Sequence, residues 1–363
     1  MAYLRYSPEV EVKQPDEDEL IDKIVGVMSA ANRQVFDKHR HATRDAHSKS
    51  HGMVIGRLDV YDNLPEHLAQ GLFLRPVQYP VVIRLSSAPF DIADDRIPAP
   101  HGMAIKVIGV PGKKILPGRE DEVTQDFALE SDLKVLPFGT LESYWHQIQF
   151  FEKLGQKPPV VQEVLESATR GSNKVLHFLG IDNPVVDSLA LRNEHILGKT
   201  FSSLAAIRYG DYVAKICVAP LSREVQALTG KPVEAADGPS FYRDQVVAFF
   251  QESSAEYEVR AQLCTDLERM PVENASIPWP EDESPYLPVA RIVIPKQDAY
   301  SPERRTYVDD VLTFNPWHTI PEHRPLGALM RARNKAYETS TAFRHKMNAV
   351  KRAEPRDIRE VPD

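Results

Sequence analysis

Apolar positions in this chain follow a helical period first and a strand period afterwards. Over 17–39 the acids come first, and Leu20, Ile24, Val27 and Met28 then fall at helical spacing, which predicts an N-terminal helical arm across 1–40. From 52 onward, short runs rich in β-branched residues and bounded by Gly, Pro and Asp predict strands at 52–60, 79–86, 103–110 and 124–131. A helical block follows, with candidates at 140–154, 158–178 and 184–193. Strands return at 201–208, 212–219, 256–265 and 288–295, with a helix near 239–252 among them. Eight strands in two groups of four, interrupted by helices, predict an α+β fold: a closed, eight-stranded antiparallel β-barrel with helical insertions, since closure removes exposed sheet edges. Residues 325–350 read as one long helix beginning at Pro325.

Proline changes this picture in one place. The chain holds 29 prolines, many of them in 271–325, so the stretch 296–324 is expected to be an extended wrapping segment between the barrel (44–295) and the last helix. Residues 41–350 then form one domain, and 351–363 a tail. The net charge of −8 and the sequence pI near 5.9 argue against nucleic acid or an anionic membrane as partner. Two cysteines, Cys217 and Cys264, are too few for a disulfide framework. With no apolar run long enough to span a bilayer, the expected location is cytoplasmic.

Two segments carry candidate chemistry. Arg333 and Tyr337 lie four residues apart, hence on one helix face. A tyrosine that ligates iron must be a phenolate, and a guanidinium one turn away lowers the cost of that charge. Arg344 follows seven residues later. The same spacing also occurs on many solvated helices. The second segment, 44–52, carries Arg44, His47 and His51 just before the first strand, with His41 upstream. A histidine there serves as a general base or, equally, sits in a solvated polar loop. Zinc would need three or four convergent ligands, and no acidic or cysteine cluster joins these histidines.

Taken together, the segments resemble the catalase superfamily from about 40 to 345. Arg44-Asp-Ala-His47-Ser-Lys49 is similar to that family's Arg-x-x-His-x-Lys before the first barrel strand. Ile83-Arg84-Leu85-Ser86 looks like its Val-Arg-Phe-Ser, and His101-Gly102-Met103-Ala104-Ile105-Lys106-Val107 like its Arg-Gly-Phe-Ala-Val-Lys-Phe. The Trp279-Pro280 turn, Phe314-Asn315-Pro316, and Arg333-x-x-x-Tyr337 with Arg344 follow in the family's order. The resemblance implies haem b with Tyr337 as the iron ligand and Arg333 holding it as phenolate. It further implies His47 as the distal acid–base residue, Ser86 fixing its far ring nitrogen, and Arg44, Arg84 and Arg344 on the haem propionates. The implied partners are hydrogen peroxide or an organic hydroperoxide and a small-molecule electron donor, in a homo-oligomer (dimer or tetramer). The shorter terminal extensions argue against an interlocked tetramer and a nicotinamide site.

The departures bear on activity. Catalases place an asparagine on the fourth strand, within Asn-Asn-Thr-Pro. Here the stretch from Glu122 to Phe127 has none, and Thr124 or Gln125 is the candidate substitute. Ala128 and Leu129 stand where the family has phenylalanines, and Ala46 where it has valine, so the site reads as roomier. Simple divergence without a change of activity gives the same pattern. Three functions follow from the resemblance: catalase or peroxidase breakdown of small hydroperoxides; dehydration or rearrangement of organic or fatty-acid hydroperoxides, as in allene oxide synthases on this fold; and non-catalytic haem binding. Retention of His47 and Ser86 argues against the last.

Overall fold

The computed structural model describes residues 2–89, 91–97, 99–131, 135–136, 138–155, 193–233 and 238–363. Among the described residues, nine strand segments run in chain order: β1 (Lys49–Val60), β2 (Gln78–Ser87), β3 (His101–Ile108), β4 (Thr124–Glu130), β5 (Phe201–Ser202), β6 (Ile207–Tyr209), β7 (Tyr212–Pro220), β8 (Ala255–Leu263) and β9 (Leu287–Ile294). All pairings are antiparallel, in the order β5-β4-β3-β2-β1-β9-β8-β7-β6, and β5 also pairs with β7. That last pairing closes a barrel of eight strand positions, because β5 and β6 are two halves of the strand predicted over 201–208. The break has a local cause. Ser203 Oγ accepts from Ile216 N at 3.1 Å and donates to Ala205 O at 2.9 Å, and Leu204 sits at φ +55°, so the serine replaces a ladder rung and the backbone turns out of register.

Strand alternation sorts the side chains into two sets. Val54, Ile83, Leu85, Ile105 and Val107 point into the barrel, where they pack with Ile216, Tyr257 and Ile292. Met53, Val82 and Ile108 point outward and are covered by Val308, Leu312 and Phe314 of the wrapping segment. Each fully buried aliphatic side chain contributes about 1.5–3 kcal/mol before the cost of chain entropy. With both faces covered, β2 has a nearly unbroken buried run rather than a clean alternation.

Among the described residues, four longer helices surround this wall: α1 (Glu17–His39), α2 (Leu141–Gly155), α3 (Phe241–Glu252) and α4 (Ala328–Met347). Ile21, Ile24 and Val25 of α1 meet Leu141 and Ile148 of α2 and Leu329, Ala332 and Ala336 of α4. Arg331 of α4 ties the ends together through Glu11 (2.5 Å), Glu17 (2.6 Å) and Glu273 (3.1 Å). The helix expected from Pro325 starts three residues later. Pro325 bridges to Ile207, and Gly327, at φ +91°, makes the turn into the helix; a Cβ there would lie 2.5 Å from Val272 O. The helices expected over 158–178 and 184–193 lie outside the described residues but for the last position. The segment 296–324 is not purely extended: a Pro302–Thr306 helix runs into a π-turn at Tyr307–Val311.

Candidate functional site

The outer faces of β2, β3 and β4 form the floor of the site. Register places Ser86 opposite Gly102, and Gly102 opposite Glu130, so these three residues make one row across the strands. Above the row lies His47. Its backbone adopts φ +56°, a strained conformation for histidine, and is held by His47 N donating to Ala88 O (3.1 Å) and Arg84 Nη2 donating to His47 O (2.8 Å). The imidazole rests on Gly102, where a Cβ would come within 2.6 Å of Nδ1. Both ring nitrogens have partners: Nδ1 is 3.2 Å from Ser86 Oγ and Nε2 is 3.4 Å from Glu130 Oε1. Burial pushes the Glu130 carboxyl up, but the His47 contact and the charges of His47 and Arg333 outweigh it and hold the group below its ordinary value.

The facing wall is α4. Arg333 Nη2 donates to Tyr337 Oη at 2.6 Å. Burial works against the Arg333 charge, but the Tyr337 and Glu130 oxygens hold the guanidinium above its usual value. One turn past Tyr337, Ser340 Oγ accepts from Asp45 N at 3.3 Å, which fastens the His47 segment to α4. Burial raises the Asp45 carboxyl.

Arg44, Arg84 and Arg344 converge on the π-turn at one end of the site. Arg44 donates to the carbonyls of Val308 (2.6 Å) and Leu312 (2.9 Å), and Arg344 to those of Asp309 (2.6 Å) and Asp310 (2.7 Å). The one carboxylate in direct contact is Asp309, whose Oδ1 is 3.2 Å from Arg84 Nε and 3.5 Å from an Arg44 nitrogen. Burial and then mutual repulsion hold Arg44 well below its ordinary value and bring Arg344 down to about 10. Asp310 and Asp45 also act on these guanidiniums without direct contact, and the grouping of three arginines at one end of the site suits a ligand with two carboxylates.

Two adjoining cavities occupy the space between the walls. The first is lined by His47, Ser86, Tyr337 and the three arginines. The second has an apolar lining that includes Ile24, Met28, Leu136, Phe138 and Leu329. His47, Glu130, Arg333 and Tyr337 border both. The arrangement suits a flat amphiphile with its acid groups at the arginines, its apolar edge among the helices, and Tyr337 and His47 on its flanks.

The structure therefore brings together Arg44, His47, Arg84, Ser86, Arg333, Tyr337 and Arg344, and does not bring Thr124 to them. Thr124 lies on the correct face of β4 but pairs with Ile108, six residues from Glu130, or about 20 Å along a strand. Its hydroxyl donates to Glu354 Oε1 at 2.5 Å instead, and Gln125 Oε1 accepts from Ile320 N at 3.4 Å. Glu130, rather than Thr124 or Gln125, is the β4 residue beside His47, and strand register reveals it. His41 sits outside, 2.7 Å from Asp310, while buried His51 bonds Ser87 at 2.7 Å. At the other end of β3 and β4, Glu122, His318 and Glu354 bring potential metal-ligand atoms within 4.8 Å of one another. Their carboxylates are already paired with Arg352 and Lys106, so the group is an ionic network.

No family model and no curated protein matches the chain. Its structure is similar to that of a fungal catalase (TM-score 0.58, 15% identity, covering 95% of this chain and 65% of that one). It is also similar to catalase A from Saccharomyces cerevisiae (TM-score 0.58, 15% identity, 96% and 70%) and to a bacterial catalase (TM-score 0.56, 13% identity, 94% and 63%). The chain spans about two thirds of the length of these proteins. Among the described residues, no helix is long and apolar enough to cross a membrane. The chain has a catalase-like fold: a closed eight-stranded antiparallel barrel with helices.

Proposed function

We propose that the chain binds haem b, with Tyr337 as iron ligand, and breaks down hydroperoxides. The observation that carries this reading is the pairing, across one cavity, of Arg333–Tyr337 on α4 with His47–Ser86 on the barrel wall, beside three clustered arginines. Arg44, Arg84 and Arg344 would hold the two propionates in place of part of their present carbonyl contacts. Arg333 would offset the charge of a ligating phenolate. When bound, the haem supplies the electrons that cleave the O–O bond. His47 would then deliver a proton to the departing peroxide oxygen, and Ser86 keeps its ring in the orientation that Gly102 permits. A small-molecule electron donor completes the cycle.

Stopped-flow spectroscopy of the haem-loaded protein, mixed separately with hydrogen peroxide, peracetic acid and a fatty-acid hydroperoxide, tests the reading. A rapid change of the haem spectrum with at least one of them is expected. A protein that takes up no haem, or whose haem responds to none of the three, overturns the proposal.

A further inference from the structure

We infer that Glu130 is the proton acceptor of the site, forming with His47 a two-residue acid–base pair that admits the neutral hydroperoxide group and disfavours an anion beside His47; this rests on the haem reading above. Glu130 ends β4 and is directed at the cavities from the same row as Ser86 and Gly102. Among the described residues its only side-chain hydrogen-bond partner is His47 Nε2, which leaves the second carboxylate oxygen unpaired. A partly buried carboxylate with one neutralising contact and one free oxygen contributes little to the fold, because its desolvation is only partly repaid. At the wall of a reaction cavity, the same group is a ready base.

The contact also sets the role of the imidazole. With a carboxylate beside it, Nε2 is committed as a donor, so it is not the atom that first receives the peroxide proton. Glu130 receives it instead. The proton held on Nε2 then goes to the departing oxygen, which leaves as an alcohol, and Glu130 returns its proton to Nε2 through their contact. The pair ends with the protons it began with, and the electrons for O–O cleavage are the cofactor's share. Charge decides the substrate class. The carboxylate, kept ionised by His47 and Arg333, disfavours an anion placed beside His47, whereas the hydroperoxide group arrives there neutral.

The test compares wild type with Glu130→Gln, which keeps size and removes charge, and Glu130→Asp, which keeps charge on a shorter stem. In haem-loaded protein, Glu130→Gln should bind azide about tenfold tighter or more, since a nearby like charge disfavours an anion by that order. Its reaction with cumene hydroperoxide should slow by about 10²-fold, with Glu130→Asp between it and wild type in both measurements. In haem-free protein, ¹⁵N-histidine NMR should show a slowly exchanging Nε2 proton on His47 that Glu130→Gln loses. Azide affinity and cumene hydroperoxide rate both unchanged in Glu130→Gln overturn the inference and leave the haem reading intact. The absence of the slowly exchanging proton from wild type overturns the pair itself. A wild type that takes up no haem overturns the haem reading, and the role of Glu130 with it.

Discussion

Arg333 Nη2 donates to Tyr337 Oη at 2.6 Å across one turn of α4, with the guanidinium carbon 5.3 Å from the ring centroid. The two residues share one helix turn, so the guanidinium lies where it would offset the charge of a phenolate at Tyr337.

Replacing Tyr337 with Phe removes the oxygen and keeps the ring. The variant is expected to purify with little haem or with a different axial ligand, and to melt close to wild type. Pigment content and visible spectra decide the matter: a full complement of haem with an unaltered phenolate-to-iron band would remove Tyr337 from the site.

The arginine cluster predicts opposite effects for two kinds of change. Arg84→Ala or Arg344→Ala deletes a partner of a bound carboxylate and should weaken haem binding by about 2–5 kcal/mol. Asp309→Asn removes the carboxylate that now neutralises Arg84 and Arg44. That variant should be less stable without haem yet bind haem more tightly, since a competitor for the arginines is gone. Titration of haem into the apo-proteins, alongside their melting temperatures, separates these outcomes. Equal affinity in all three variants would place the propionates elsewhere.

His47→Ala should slow the haem response to hydroperoxide by about 10²–10⁴-fold while haem stays bound. Ser86→Ala, which only frees Nδ1, should cost less. Gly102→Ala should resemble His47→Ala in kind, because its methyl would stand where the imidazole lies. His41→Ala should leave the rate alone. His51→Ala should lower stability by about 1–3 kcal/mol, as it orphans buried Ser87, but not the rate. A rate that survives in His47→Ala and collapses in His51→Ala would reverse the assignment.

Much of this site is legible in the chain because it depends on local spacing. Arg333, Tyr337 and Arg344 share a helix face by period, and Arg84 and Ser86 share a strand face by alternation. Glu130 is not legible in the chain, since its place beside His47 depends on β3 and β4 pairing Gly102 with Glu130, whereas the family motif points to Thr124 and Gln125. Asp309 and the carbonyls that occupy the arginines were hidden for a different reason: proline content predicts an extended segment over 296–324, and a π-turn at Tyr307–Val311 has no sequence signal of its own. The break between β5 and β6 likewise depends on one serine hydroxyl. The barrel was readable because eight apolar runs of strand length leave few other ways to close a sheet.

The ionic network at the far end of β3 and β4 predicts how stability depends on pH. Lys106, fully buried, contacts Asp126 (2.6 Å) and Glu354, while Arg352 bonds both Glu122 (2.6 Å) and Glu354 (2.6 Å), so the tail is fixed to the barrel. Burial alone would raise Asp126 and Glu122, but Lys106, His318 and Arg352 outweigh it and hold both carboxyls below the ordinary range. Their contribution is complete above the ordinary carboxylate pKa of about 4 and is lost as pH falls through the depressed folded values. His318 behaves in reverse. Burial opposes its charge, yet Asp126 and Glu122 raise it, so its contribution is complete below the ordinary value of about 6.5 and is lost as pH rises through the folded one. Thermal stability should therefore peak between about pH 4 and 6.5 and fall on both sides. Glu122→Gln should lower the melting temperature inside that window and flatten both flanks, because it removes one depressed carboxyl and one of the charges that raise His318. Lys106→Met, which strands two buried carboxylates, should cost about 3–5 kcal/mol near pH 6 and recover part of that loss in acid, where those carboxylates take up protons. A melting temperature with the same pH profile in wild type and Glu122→Gln would show that the network contributes nothing to folding.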